Sequence, residues 1–122
     1  MKIRIKENSV RFRLTPTEVK RFCTEGSIEE STRFSSTTFN YGVKQKNIDN
    51  LQVDFNGNTI TLYVPESFAK EWYDNDVVGI DHRESLDDGG TFFLLLEKDF
   101  ACLDNTHEDQ TDKYPNPKAG QC

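Results

Sequence analysis

Alternating cations mark the beginning of the chain. The segments "KIRIK" and "VRFRL" place a basic residue at every second position: Lys2, Arg4, Lys6, Arg11 and Arg13. A β-strand directs alternate side chains to opposite faces, so these cations are expected to share one face of two neighbouring strands. Clustered guanidinium and ammonium groups bind phosphate or carboxylate through charge-assisted hydrogen bonds. The sequence therefore offers a candidate anion site with the members Arg4, Lys6, Arg11, Arg13 and Arg33, and an ordinary solvated strand face is the alternative interpretation.

A second set of chemically capable residues lies near the other end of the sequence. Cys102, His107 and Asp109 carry side chains that bind zinc or iron in proteins. The stretch contains no CxxC motif, and the other histidine, His82, falls in a separate predicted strand. We therefore favour no metal site and expect no cofactor.

The metal candidates are embedded in an acidic segment, "EKDFACLDNTHEDQTDKYPNP", which holds six acids and two lysines. One interpretation is a strap that crosses the basic strands, anchored by burial of Tyr114 and held extended by Pro115 and Pro117. The other is a free tail that docks on a basic partner. We predict the strap, and assign residues 104–122 to a polar strap or tail.

Composition bounds the fold and its partners. The 122 residues fit one domain, 1–122, with sheet and helices in 1–103. The net charge of −6 argues against general nucleic-acid binding and membrane-surface binding, although residues 1–22 hold seven bases and two acids. No apolar run resembles a signal peptide or a membrane span, and three cysteines do not form a disulfide framework. We expect a cytoplasmic protein.

Local signals predict the elements that must position these residues. "LTPTEV" carries a capping box, with Thr15 at the N-cap, Pro16 at N1 and Glu18 at N3, and Gly26 is a suitable residue to end the helix. These residues predict a helix over 16–25. A second short helix is predicted in "PESFAKEWYDN".

Most of the remaining segments alternate apolar and polar residues and are separated by short linkers typical of hairpins. They predict an α+β fold with a single, mainly antiparallel sheet or a partly open barrel of seven or eight short strands and two short helices. The run "FFLLL" does not alternate, which is typical of a strand covered on both faces, in the centre of a sheet or at a dimer interface. No internal repeat is evident.

The two ends of the chain, "MKIRIKENSVRFRLTPTEVKRF" and "LEKDFACLDNTHEDQTDKYPNP", resemble those of a family of small uncharacterised bacterial proteins. The resemblance spans nearly the whole chain and implies a small stand-alone cytoplasmic protein. It implies no activity and no catalytic residues, because no function is known for the family.

Two function classes follow from these observations. The first, which we favour, is a non-enzymatic binding or accessory protein whose partner is an unknown protein or an anionic small molecule. A homodimer is a possible oligomeric state of such a protein. The second is an enzyme or sensor of an anionic, phosphate-bearing ligand that uses the basic strand face. No nucleophile elbow and no phosphate-binding glycine loop supports the second class.

Overall fold

The structure is a computed structural model that describes residues 1–100, which form eight strands and two helices. In chain order the elements are β1 (Lys2–Lys6), β2 (Ser9–Leu14), α1 (Pro16–Glu25), β3 (Ser27–Arg33), β4 (Thr38–Lys46), β5 (Gln52–Asn56), β6 (Thr59–Pro65), α2 (Glu66–Trp72), β7 (Gly79–Ser85) and β8 (Thr91–Lys98). The predicted α+β class is confirmed. Among the described residues, no helix has the length and apolar character needed to cross a bilayer.

Helix α1 is determined by local sequence. The Thr15 hydroxyl accepts a hydrogen bond from the Glu18 backbone N–H at 3.3 Å, and the Glu18 carboxylate accepts one from the Thr15 N–H at 2.9 Å. At the other end Gly26 has a φ of 90°, a left-handed conformation that glycine adopts without strain. The capping box and the bounds predicted for this helix are confirmed.

The eight strands of residues 1–100 form two mixed sheets of four, so the expectation of a single sheet was inexact in the number of sheets. One sheet has the order β1-β2-β8-β7 and the other β3-β4-β6-β5. Each sheet consists of two antiparallel hairpins joined by a central parallel pair, β2 with β8 in one and β4 with β6 in the other. Short linkers identify the hairpins, but they carry no information on which hairpins become neighbours.

The two halves of the described chain are topologically equivalent, which the sequence did not reveal. Each half runs through a hairpin, a helix and a second hairpin, and each sheet takes one hairpin from each half. The same backbone hydrogen bond forms within each half. In the first half the N–H of Gln45 donates to the carbonyl of Gly26 at 2.9 Å, and in the second half the N–H of Lys98 donates to the carbonyl of Val78 at 2.8 Å. The halves are therefore interleaved rather than side by side.

One cluster of buried side chains draws on both sheets and both helices. Its members occur at equivalent positions of the two halves, such as Val10 and Ile60, Phe12 and Leu62, Leu14 and Val64, and Phe22 and Trp72. The paired positions share apolar character but not residue identity, which explains why no repeat is evident in the sequence.

The "FFLLL" run forms most of β8, a central strand between β2 and β7. Leu94 and Leu96 are buried in the core, while Phe93 and Leu95 are half-buried on the opposite, outer face. The run therefore lies in a central strand, one of the two predicted alternatives, but among residues 1–100 only its inner face is buried. Its outer apolar side chains lie beside the cations of β2.

Candidate functional site

The basic residues of β1 and β2 share the outer face of the first sheet. Along β2, buried Val10, Phe12 and Leu14 alternate with half-buried residues, so Arg11 and Arg13 face away from the core. The antiparallel register of the hairpin brings the outward residues of the two strands together. We call this surface the basic face and define it by six residues: Lys2, Arg4, Lys6, Ser9, Arg11 and Arg13.

Like charges lie directly opposite each other on the basic face. Arg4 is the register partner of Arg11, and Lys2 is the register partner of Arg13. Directly opposed like charges destabilise a strand pair. The arrangement therefore needs counter-charges, whether from the chain itself or from a bound anion.

Two carboxylates supply counter-charge at one end of the basic face. The Nε of Arg13 lies 2.6 Å from Oε1 of Glu97, and the Nε of Arg11 lies 3.6 Å from the same oxygen. Beside them, Nζ of Lys2 lies 3.0 Å from Oδ2 of Asp99. The contact between Arg13 and Glu97 follows from the β2–β8 register, which places the two residues opposite each other. This end of the basic face is neutralised by the chain.

The other end of the basic face is not neutralised by the described part of the chain. Within residues 1–100, Arg4 and Lys6 form no ion pair. Here the surface forms a depression with a volume of about 250 Å³, lined by Arg4, Lys6, Ser9, Val10, Arg11 and Phe93. The Ser9 hydroxyl donates to the Lys6 carbonyl at 2.7 Å, which ties the hairpin together beside the depression. Three cations therefore converge on the depression. Within residues 1–100, two of them, Arg4 and Lys6, form no ion pair with an acidic side chain.

An aromatic residue that the sequence analysis did not select completes the depression. Phe93 is the register partner of Ser9 on β2 and of Arg83 on β7. The Arg83 guanidinium carbon lies 5.0 Å from the centre of the Phe93 ring, a cation–π contact that adds positive charge at this end. The only sequence signal for Phe93 was the loss of alternation in "FFLLL". That signal does not show which strands lie beside Phe93 unless the strand pairing is known.

Arg33, the remaining predicted member of the anion site, lies in the other sheet. It ends β3, is exposed, and has Thr38 of β4 as its register partner. The structure therefore brings together Arg4, Lys6, Arg11 and Arg13 but not Arg33.

The equivalent surface of the second half provides an internal comparison. Its positions corresponding to Arg4, Lys6, Ser9, Arg11 and Phe93 are occupied by Asp54, Asn56, Thr59, Thr61 and Asn40. Asn40 accepts a hydrogen bond from the Ser31 hydroxyl at 2.6 Å, an uncharged contact typical of a solvated sheet face. The β5–β6 hairpin thus has the same backbone arrangement without cations at these positions, so the fold itself does not require those of β1 and β2. The cations of that second face, Lys44 and Lys46, lie on β4 instead, beside Tyr63.

Predictions for the end of the sequence lie outside the described residues. These are the metal candidates Cys102, His107 and Asp109 and the strap over 104–122 with its anchor Tyr114. Within residues 1–100, no group of three His, Cys, Asp or Glu side chains is placed to hold a metal ion.

The clearest pKa shifts lie beside the capping box. Burial alone would lower the pKa of the Met1 ammonium, but hydrogen bonds and attraction from Glu18 and Glu30 outweigh it and raise that pKa above 8.0. For Glu18 burial acts to raise the pKa, but the ammonium and the Thr15 N–H outweigh burial and lower it below 4.5. On α1, burial raises the pKa of the Cys23 thiol, which favours its protonated form.

A family model covers residues 1–118 of the sequence, and its description is a family of unknown function, DUF7009. The chain belongs to the DUF7009 family. The expectation of an uncharacterised family is confirmed, and DUF7009 membership transfers no activity to any residue. No curated protein and no solved structure matches this DUF7009 chain.

Proposed function

We propose that this DUF7009 protein is a non-enzymatic binding protein whose basic face holds an anionic group of its ligand. One observation carries the proposal: the equivalent positions of the other sheet face, on β5 and β6, lack the outward cations that β1 and β2 carry on the basic face. Arg4 and Arg11 on that face correspond to Asp54 and Thr61 on the other. Because both faces are built by the same topology, the cations serve something other than folding.

Electrostatics support an anion as the missing component. Two unit charges of the same sign 4 Å apart repel by about 1 kcal/mol in water and about 4 kcal/mol near a protein surface with an effective dielectric constant of 20. Arg4 and Arg11 are register partners on one face, so their charges repel, and Glu97 contacts only one of them. An anion in the depression would relieve the repulsion, so ligand binding should also stabilise the fold.

The carboxylates near the basic face favour binding over catalysis. Glu97 is held by Arg11 and Arg13, and Asp99 by Lys2, so neither is free to act as a base or to hold a cation for the ligand. The depression itself offers cations, a hydroxyl and an aromatic ring, which are groups that bind. A cytoplasmic location and a single domain remain our predictions from the sequence, and a homodimer stays an open alternative.

Calorimetric titration with two defined probes tests the proposal. Sodium tripolyphosphate and a hexaglutamate peptide, added separately in low-salt buffer, represent phosphate and carboxylate anions. The double variant Arg4→Gln with Arg11→Gln should bind about tenfold more weakly than the natural chain, as expected for the loss of about 1.4 kcal/mol.

The matched control removes the same charge from exposed helix positions. The double variant Lys20→Gln with Lys70→Gln changes one lysine on α1 and one on α2, at equivalent places in the two halves. It should bind both probes with unchanged affinity. If the two double variants weaken binding equally, or if neither probe binds the natural chain, the proposal is wrong.

A further inference from the structure

We infer that the ligand of the basic face is an extended acidic peptide segment of a partner protein, and that it pairs as an additional strand with the edge of β1 that no strand of residues 1–100 occupies. This inference rests on the proposed function and names its ligand class; the partner segment would compete with the predicted strap over 104–122 for the same cations. The supporting observations are the open edge of β1, the match of its side chains to an acidic strand, and the contrast with the equivalent edge of the other sheet.

Strand β1 is the outermost strand of its sheet. It pairs with β2 on one side, and no strand among residues 1–100 pairs with its other side. An edge strand presents unpaired backbone N–H and carbonyl groups, which an extended peptide can engage by strand addition. The basic face therefore continues directly into a surface with main-chain hydrogen-bonding capacity.

The side chains of β1 match a strand that alternates carboxylates with apolar residues. Lys2, Arg4 and Lys6 occupy the outer face, while Ile3 and Ile5 occupy the inner face. Ile5 is 57% exposed, although its register partner Val10 is buried. An added strand repeats its side chains at the same spacing of about 6.8 Å on each face. Its carboxylates would meet the cations while its apolar residues cover Ile5.

A small anion would account for only part of this surface. It could occupy the depression among Arg4, Lys6 and Arg11, but it would leave the β1 backbone and Ile5 in water. An acidic strand uses the cations, the backbone edge and the exposed isoleucine together.

Protection of a sheet edge by charge is not a sufficient explanation of the cations. Charged side chains do discourage edge-to-edge aggregation. However, Arg11 lies on β2, which is covered on both sides by other strands. The equivalent edge strand β5 has no cations on its outer face, where Gln52, Asp54 and Asn56 occupy the corresponding positions.

Strand addition has a signature that simple charge attraction lacks, because a strand pairs with a neighbour through only one of its two edges. We would titrate the full chain with the capped peptide Glu-Val-Glu-Val-Glu and with two versions N-methylated at alternate residues, one on each edge. Methylation of the pairing edge should weaken binding about tenfold, and methylation of the other edge should leave it unchanged. Equal affinity of the two methylated peptides, whether retained or lost, would overturn the inference.

Variants at the exposed apolar position provide the second readout. Ile5→Ser should weaken binding of the alternating peptide several-fold and leave tripolyphosphate binding unchanged. Phe55→Ser is the matched control, because Phe55 lies at the equivalent position of β5 and is 68% exposed. It should leave the binding of both probes unchanged.

The outcomes separate the two proposals. If tripolyphosphate binds at Arg4 and Arg11 while the peptide shows no edge dependence and no response to Ile5→Ser, the inference fails and the proposed function survives. If no anionic probe depends on Arg4 and Arg11, both fail.

Discussion

Glu97 holds the two arginines of β2, and we expect its neutralisation to change stability and anion binding in opposite directions. One carboxylate oxygen lies 2.6 Å from the Nε of Arg13 and 3.6 Å from the Nε of Arg11. The Glu97→Gln variant keeps the size of the side chain but removes its charge. Arg13 then loses its partner while Lys2 remains opposite it.

The expected magnitudes follow from burial and distance. A hydrogen bond to a charged group contributes about 1.5–3 kcal/mol, and an exposed ion pair about 0–1 kcal/mol. Glu97 is 17% exposed but Arg13 is 39% exposed, so the pair lies between these cases. We expect Glu97→Gln to lower the free energy of unfolding by about 1–2 kcal/mol. Removing this negative charge beside the depression should tighten anion binding by about 0.6 kcal/mol, or about threefold, which is the interaction of two unit charges roughly 7 Å apart in water.

Urea denaturation measures the first effect and calorimetry with tripolyphosphate the second. Glu25→Gln is the control, because Glu25 pairs with Arg21 at 3.3 Å and both side chains are more than half exposed. That change should cost only a few tenths of a kcal/mol. Our account of the basic face would be refuted if Glu97→Gln cost no more than Glu25→Gln, or if it weakened anion binding.

Three further predictions, made on four substitutions, test the surrounding structure and the end of the chain. Thr15→Ala should lower the free energy of unfolding by about 1 kcal/mol in urea denaturation, because the N-cap is lost, and no loss would contradict the capping assignment. The stability that the Glu18 carboxylate contributes is present above pH 4.5 and is lost as the pH falls through the lowered pKa of the folded state. The stability that the Met1 ammonium contributes is present below pH 8.0 and is lost as the pH rises through the raised pKa of the folded state. Glu18→Gln should flatten both ends of a melting-temperature profile against pH, and an unchanged profile would show that the pair contributes nothing. In the predicted strap, Tyr114→Ala should cost about 2 kcal/mol and Asp109→Asn a few tenths, measured by urea denaturation, and equal costs would favour a free tail.

Elements governed by neighbouring residues could be predicted from the sequence. The bounds of α1 follow from Thr15, Glu18 and Gly26, whose effects act within a few residues of the chain. The hairpins follow similarly from alternation and short linkers. The pairing of β2 with β8 brings together residues from opposite ends of the described chain. No local pattern encodes that pairing, so the two-sheet arrangement and the equivalent halves could not be predicted.

The candidate site likewise has one part that could be predicted from local sequence and another that depends on strand pairing. Alternation alone placed Arg4, Lys6 and Arg11 on one face, because spacing within a strand determines the side to which each residue points. Which cations meet an acid depends on the β8 register, so the pairing of Glu97 with Arg13 could not be foreseen. Arg33 was grouped by charge, but its strand belongs to the other sheet.

The comparison of the two halves tests the central claim most directly, because the chain carries its own control. Backbone amide chemical shifts should be followed during titration with the peptide Glu-Val-Glu-Val-Glu. We predict that shift changes concentrate in β1 and β2 and leave the equivalent strands β5 and β6 unchanged. Equal changes in both pairs of strands, or changes confined to residues outside β1 and β2, would contradict the assignment of the basic face as the binding surface.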